Sequence, residues 1–247
     1  MEDQPSLRLL NWNLQWKRVG SHAGRQLRER ILSYEPDIVC LTEAHTDFAL
    51  DGGYWISSDP DYGYPLMEGR RKVLLWSREP WTDVDTASAS SLPPGRFVSG
   101  KTNTPLGALA IFGVCVPWSA AHVSTGRKDR RVWEDHSFYL NELSVLFQGT
   151  CGPTVVVGDF NQTMPRSRAP RAVHELLLKS AGSKLSFASS GPIAPLNKLV
   201  IDHVLHSAEL MHAAVEALSP ENAAGDRLTD HVGVLVELTS ASGAVNG

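Results

Sequence analysis

The chain has few cysteines, no long apolar run and no surplus of positive charge, and each shortage removes a class of protein. Its three cysteines, Cys40, Cys115 and Cys151, are odd in number and fall in no metal-ligand spacing, which excludes a disulfide-stapled scaffold and a thiolate zinc site. Two of them lie in apolar, strand-like runs, so reduced and buried thiols are expected. No apolar stretch reaches bilayer-spanning length, and Met1-Glu2-Asp3-Gln4-Pro5 lacks the basic and apolar segments of a secretory signal. The expectation is a cytoplasmic chain with no membrane partner and no obligate protein partner. With 23 Lys plus Arg against 27 Asp plus Glu, the formal net charge is -4. No global field draws this chain to nucleic acid, and any such binding must come from a local basic stripe.

What is present is enough for one large core. At 247 residues and 42% hydrophobic content, the sequence predicts a single α/β domain over 1-247, with its core at about 7-238 and a frayed tail after 239. Apolar runs predict strands at Leu7 to Leu14, Asp37 to Thr42, Lys72 to Trp76, Ala108 to Val116, Thr154 to Val157, Leu199 to His206 and Val232 to Leu238. Helical periodicity falls in Arg25 to Tyr34, Arg131 to Phe147 and Arg171 to Ser180. Gly, Pro, Ser and Asp mark 58 to 70, 88 to 107 and 160 to 171 as loops.

The polar residues fall where these strands end. Asn13 closes the first and Glu43 the second. Asp159 and Asn161 follow Val155 to Val157, Asp202 follows Val200-Ile201, and Asp230-His231 precede the last strand. Singly, each is a turn former or helix cap. Together they are oxygen and imidazole donors on rigid supports, a set that suits Mg²⁺ or Mn²⁺ better than zinc. In extended chain Asp159 and Asn161, two residues apart, would face one reacting group. His203 points away from Asp202 in a strand and reads as structural.

Trp12-Asn13, Thr42-Glu43, Gly158-Asp159-Phe160-Asn161, Ile201-Asp202-His203 and Thr229-Asp230-His231 occur in an order that resembles the endonuclease/exonuclease/phosphatase superfamily, across residues 7 to 238. The resemblance implies a four-layer α/β sandwich, two packed mixed β-sheets flanked by helices, with the site at one end of the sheets. It implies a Mg²⁺ cofactor, replaceable by Mn²⁺, with Glu43 as principal ligand and Asn13 and Asp230 completing the set. It assigns Asp159 to the attacking water, Asn161 to a phosphate oxygen, and His231, oriented by Asp202, to the scissile phosphate.

Two positions depart from the pattern. Cys115 stands where relatives carry His or Tyr against phosphate, so either the thiol contacts substrate or Trp118, His122 or an arginine such as Arg127 or Arg130 does. Gln15 replaces an acid near the metal, which does not support a strict two-metal mechanism. The expected activity is phosphodiester hydrolysis of DNA or RNA, favoured by Arg70-Arg71-Lys72, Arg127 to Arg131, and Arg166, Arg168 and Arg171 in loops near the site. The alternatives are a phosphatase or phosphodiesterase of a small phosphorylated metabolite or nucleotide, and an inactive binding scaffold.

Overall fold

A computed structural model describes residues 4-48, 50-87 and 91-241. The chain forms β1 (Ser6–Asn13), α1 (His22–Ser33), β2 (Ile38–His45), β3 (Tyr54–Ser57), β4 (Arg70–Ser77), β5 (Trp81–Asp85), β6 (Phe97–Thr104) and β7 (Gly107–Cys115). Then follow α2 (Glu134–Gln148), β8 (Thr154–Asp159), α3 (Arg171–Ala181), β9 (Leu185–Phe187), β10 (Asp202–Ser207), β11 (Leu210–Leu218) and β12 (Gly233–Ser240). They make two six-stranded sheets, ordered β11-β12-β1-β2-β4-β3 and β5-β6-β7-β8-β10-β9. Each is mixed, with one parallel pair at its centre, β1 with β2 and β7 with β8.

Three apolar layers follow from this pairing. Leu7, Leu9, Cys40, Val73 and Leu75 of one sheet meet Ile111, Val155, Val157 and Val204 of the other. Leu27 and Ile31 of α1 cover the outer face of the first sheet, over Leu10, Leu41 and Trp76. Tyr139, Leu143, Phe147 and Leu177 of α2 and α3 cover the second, over Val114, Val156 and Leu205. The order helix, sheet, sheet, helix is the expected four-layer sandwich. Because β1, β2 and β8 are covered on both faces, they read as near-continuous apolar runs.

Some local expectations fail for physical reasons. The segment 88 to 107 is not all loop: Phe97–Thr104 pairs with Gly107–Cys115 along its length, and its Ser, Gly, Lys, Asn and Thr residues hid the strand. The second predicted helix, from Arg131, starts at Glu134, because Trp133 has φ 71 and stands outside the helix. Val145, an apolar residue of this helix, is 65% exposed. The strand predicted from Leu199 begins at Asp202. Cys40 and Cys115 are buried, but Cys151 is exposed. Of the tail predicted to fray after 239, Ser240 still pairs with Leu210 of β11, and residues 242-247 lie outside the described chain.

Candidate active site

The two sheets bring their polar strand ends together. Asn13 ends β1, Asp159 ends β8 and Asp202 begins β10, where Asp202 and Asp159 are direct cross-strand partners. Asn11 ties the sheets below them, donating from Nδ2 to the carbonyls of Gly158 at 3.0 Å and His203 at 3.3 Å. Gly158 has φ 147, and a Cβ there would collide with the Val114 carbonyl oxygen. Only glycine lets β8 approach β7 so closely just before Asp159. The segment before β12 is pinned twice: Thr229 Oγ1 donates to the Asn13 carbonyl at 2.8 Å, and Trp12 Nε1 donates to the His231 carbonyl at 3.0 Å.

Asp159 is held through both oxygens, by Asn13 Nδ2 at 3.1 Å and by the Asn161 backbone N–H at 2.8 Å. Burial, reinforced by the charges of Asp202 and Glu43 and opposed by that of His231, raises its pKa to about 7. His231 Nδ1 and Asp202 Oδ2 are 2.6 Å apart. Burial works to lower the histidine's pKa, but the charge and hydrogen bond of Asp202, with Asp159 and Asp230, raise it to about 10. The pair is therefore an imidazolium on a carboxylate at neutral pH, and its Nε2 lies 3.9 Å from Asp230 Oδ1. Asp202 itself is shifted upward by burial despite His231.

Asn161 does not lie in extended chain. Its φ is 52, and its Nδ2 donates to the Val116 carbonyl at 2.9 Å. The strand stops at Asp159, and the turn that follows places Asn161 on a cleft of about 540 Å³ with Thr163 and Arg168. Its proximity to Asp159 comes from the Asx turn instead of strand alternation.

Glu43, at φ 47, lies opposite Lys72 between the paired Thr42–Val73 and Ala44–Arg71. Its Oε1 meets Lys72 Nζ at 2.6 Å. Among the described residues, one group of ligand atoms falls within 4.8 Å of one another, and it is Asp159, Asp202 and His231. Asn13 bonds to that group through Asp159, and Asp230 Oδ1 lies 3.9 Å from His231 Nε2. The donor chemistry fits a hard cation. Asp202 Oδ1 is buried with no hydrogen-bond partner, three further carboxylates stand nearby, and Lys72 already places a positive charge on Glu43.

The sequence placed the phosphate contacts less well. Cys115 is 1% exposed in the inter-sheet core, and burial pushes its thiol up to about 12, so it packs as a neutral side chain and offers no contact to substrate. Arg127 pairs with Asp129, and Arg130 with Asp135 at 2.7 Å, Glu134 and Asp129. Their charges are spent locally. The cations that line the cleft beside Glu43 are Arg70, Lys72 and Arg96. Arg70 and Lys72 belong to a basic run visible in the sequence, whereas Arg96 sits in the segment read as loop. His203 is structural as expected: Nε2 donates to the Gln162 carbonyl at 2.9 Å, and Nδ1 lies 2.9 Å from Ser189 Oγ.

A sequence model described as Endonuclease/Exonuclease/phosphatase family matches residues 10–231. No curated protein sequence matches the chain. Among solved structures, the 3′ phosphatase NExo from Neisseria, bound to a product DNA hairpin, superposes with a TM-score of 0.68 at 15% identity, covering 93% of this chain and 98% of that one. An AP endonuclease from Archaeoglobus fulgidus gives 0.66 at 14% identity, covering 93% and 98%. The human Nocturnin catalytic domain with a bound sulfate gives 0.63 at 18% identity, covering 96% and 94%. At these identities the superpositions establish the shared fold.

Proposed function

The chain belongs to the endonuclease/exonuclease/phosphatase family, and we propose that within it this protein is a Mg²⁺-dependent phosphoesterase that hydrolyses phosphodiester bonds of DNA or RNA. One observation carries the reading: a buried carboxylate, Asp159, fixed by Asn13 and Asn161, stands in one cluster with an Asp202–His231 ion pair. A carboxyl with a pKa near neutrality is poised to accept a proton from water at working pH, an effect worth about 10²- to 10⁴-fold. His231, cationic through Asp202, directs Nε2–H to a non-bridging phosphate oxygen as its charge grows. Asn161 can turn its amide from the Val116 carbonyl to another phosphate oxygen without titrating. Glu43 and Asn13, with Asp230 near His231, would hold the divalent cation, which supplies neutralisation of phosphate charge when bound. Mn²⁺ satisfies the same oxygen donors.

Nucleic acid is favoured as substrate by the cations on the cleft beside Glu43 and by Arg168 beside Asn161. A Mg²⁺-supplemented panel of plasmid, single-stranded DNA, abasic duplex, RNA, inositol phosphates and mononucleotides tests this directly. Cleavage of one of the nucleic acids is expected. Hydrolysis of a small phosphoester with every nucleic acid left intact would overturn the nuclease assignment.

A further inference from the structure

The cleft on which Glu43 opens is about 460 Å³ in volume, within the range of small-ligand sites and too small for a paired helix. Its lining sets three cations, Arg70, Lys72 and Arg96, against the single carboxylate of Glu43, in a chain of net charge -4. Two of the cations are not fully used by the protein. Arg96 is 3% exposed, has no carboxylate within 4.0 Å among the described residues, and reaches only the Cys115 carbonyl, at 3.4 Å. Arg70 Nε is buried without a hydrogen-bond partner. An unpaired buried guanidinium is costly, and an anion entering the cleft relieves that cost.

The walls are aromatic, and their rings differ in what they offer. Trp16 is occupied: Tyr62 stacks on it at 5.7 Å, and Arg70 and Lys72 lie 4.7 and 5.0 Å from its centroid. Tyr64 stacks on His122 at 4.4 Å. Trp118 is 45% exposed; its side chain hydrogen-bonds to the Tyr64 hydroxyl, and no other ring or cation stacks on its face among the described residues. A buried cationic floor and one free indole face match a flat ring attached to a phosphate.

We propose that this cleft is a subsite for a single unpaired nucleotide, its phosphate held by Lys72, Arg96 and Arg70 and its base stacked on Trp118. The proposal rests on the phosphoesterase reading and narrows it, because the nucleotide must be either free or at a strand end.

The test is binding by the full chain in EDTA, so that nothing turns over, followed by calorimetry with adenosine 5′-monophosphate, adenosine, inorganic phosphate, a 5′-phosphorylated single strand and a covalently closed duplex. The monophosphate is expected to bind at least about tenfold more tightly than adenosine or phosphate, and Trp118→Ala to remove about tenfold of that while leaving phosphate binding alone. Lys72→Met, with its fold checked by circular dichroism, weakens both. Tighter binding of the single strand than of the monophosphate assigns the site to a strand end, and equal binding assigns it to a free nucleotide. Equal binding of all five probes, or of the monophosphate by Trp118→Ala and wild type, overturns the subsite. Mg²⁺-dependent phosphoester hydrolysis by the wild type, run in parallel, separates the two failures: hydrolysis without Trp118-dependent binding removes the subsite and keeps the phosphoesterase.

Discussion

At the scale of single residues, what distinguishes the working groups is their partners, not their type. Arg130 and Arg96 are the same side chain. The first is neutralised by Asp129, Glu134 and Asp135 within five residues, whereas the second is buried with no carboxylate in reach among the described residues. Asp159 and His231 carry the chemistry of the account. Asp159→Asn keeps the hydrogen bond from Asn161 but cannot accept a proton, so kcat falls by about 10²- to 10⁴-fold with an unchanged circular dichroism spectrum. His231 is cationic only because of Asp202. In Asp202→Asn its pKa drops from about 10 to its ordinary value or lower, which an NMR titration of the imidazole reads directly. A His231 signal still titrating near 10 would mean that another group holds the charge.

At the scale of elements, the site exists because strands end where they do. Gly158 illustrates how strictly: its φ of 147 and its contact with the Val114 carbonyl leave no room for a side chain. Gly158→Ala is expected to cost about 2–4 kcal/mol, seen as a lower urea midpoint, and to displace Asp159 with a loss of activity. A stable, active variant would show that β7 and β8 can separate without harm. The same elements show what a sequence reveals. β1, β2, β4, β7 and β8 are legible because strands buried on both faces must be apolar throughout. β6 and β11 are not, since Phe97–Thr104 relies on Gly, Ser and Thr and Leu210–Leu218 is exposed over most of its length. Asn13, Asp159, Asp202 and His231 are legible as polar residues at the ends of apolar strands, whereas Glu43, read as closing the second strand, lies inside β2, which runs on to His45. The cleft beside Glu43 is not, because Trp16, Tyr62, Arg96 and Trp118 come from separate loops and strand edges that only the folded sheets bring together.

At the scale of the whole molecule, buried histidines on the α2–α3 side couple stability to pH. His136 takes a hydrogen bond from Gln162 Nε2 at 2.7 Å and lies 2.6 Å from the Pro117 carbonyl through Nδ1, an arrangement for the neutral ring. Burial lowers the pKa of both His136 and His203 from 6.5 to about 4. Between these values the unfolded chain binds protons that the folded chain refuses, so each histidine costs stability as pH falls from 6.5 to about 4, on the order of 3 kcal/mol. Asp159, raised to about 7, works in the opposite sense over pH 7 to 3.8 and flattens the wild-type curve. The comparison with His203→Gln isolates the effect: the stability advantage of wild type over this variant shrinks on acidification through that window, measured by urea unfolding at pH 6.5 and 4.5. An advantage independent of pH would mean that His203 keeps its ordinary pKa in the fold. The central claim concerns the cluster at the strand ends, and the most direct measurement is hydrolysis of bis(4-nitrophenyl) phosphate by the purified protein. The account predicts turnover with Mg²⁺, none in EDTA, recovery when Mg²⁺ is restored, and none at any Mg²⁺ concentration for His231→Ala. Turnover that survives EDTA, or that persists undiminished in His231→Ala, would contradict it.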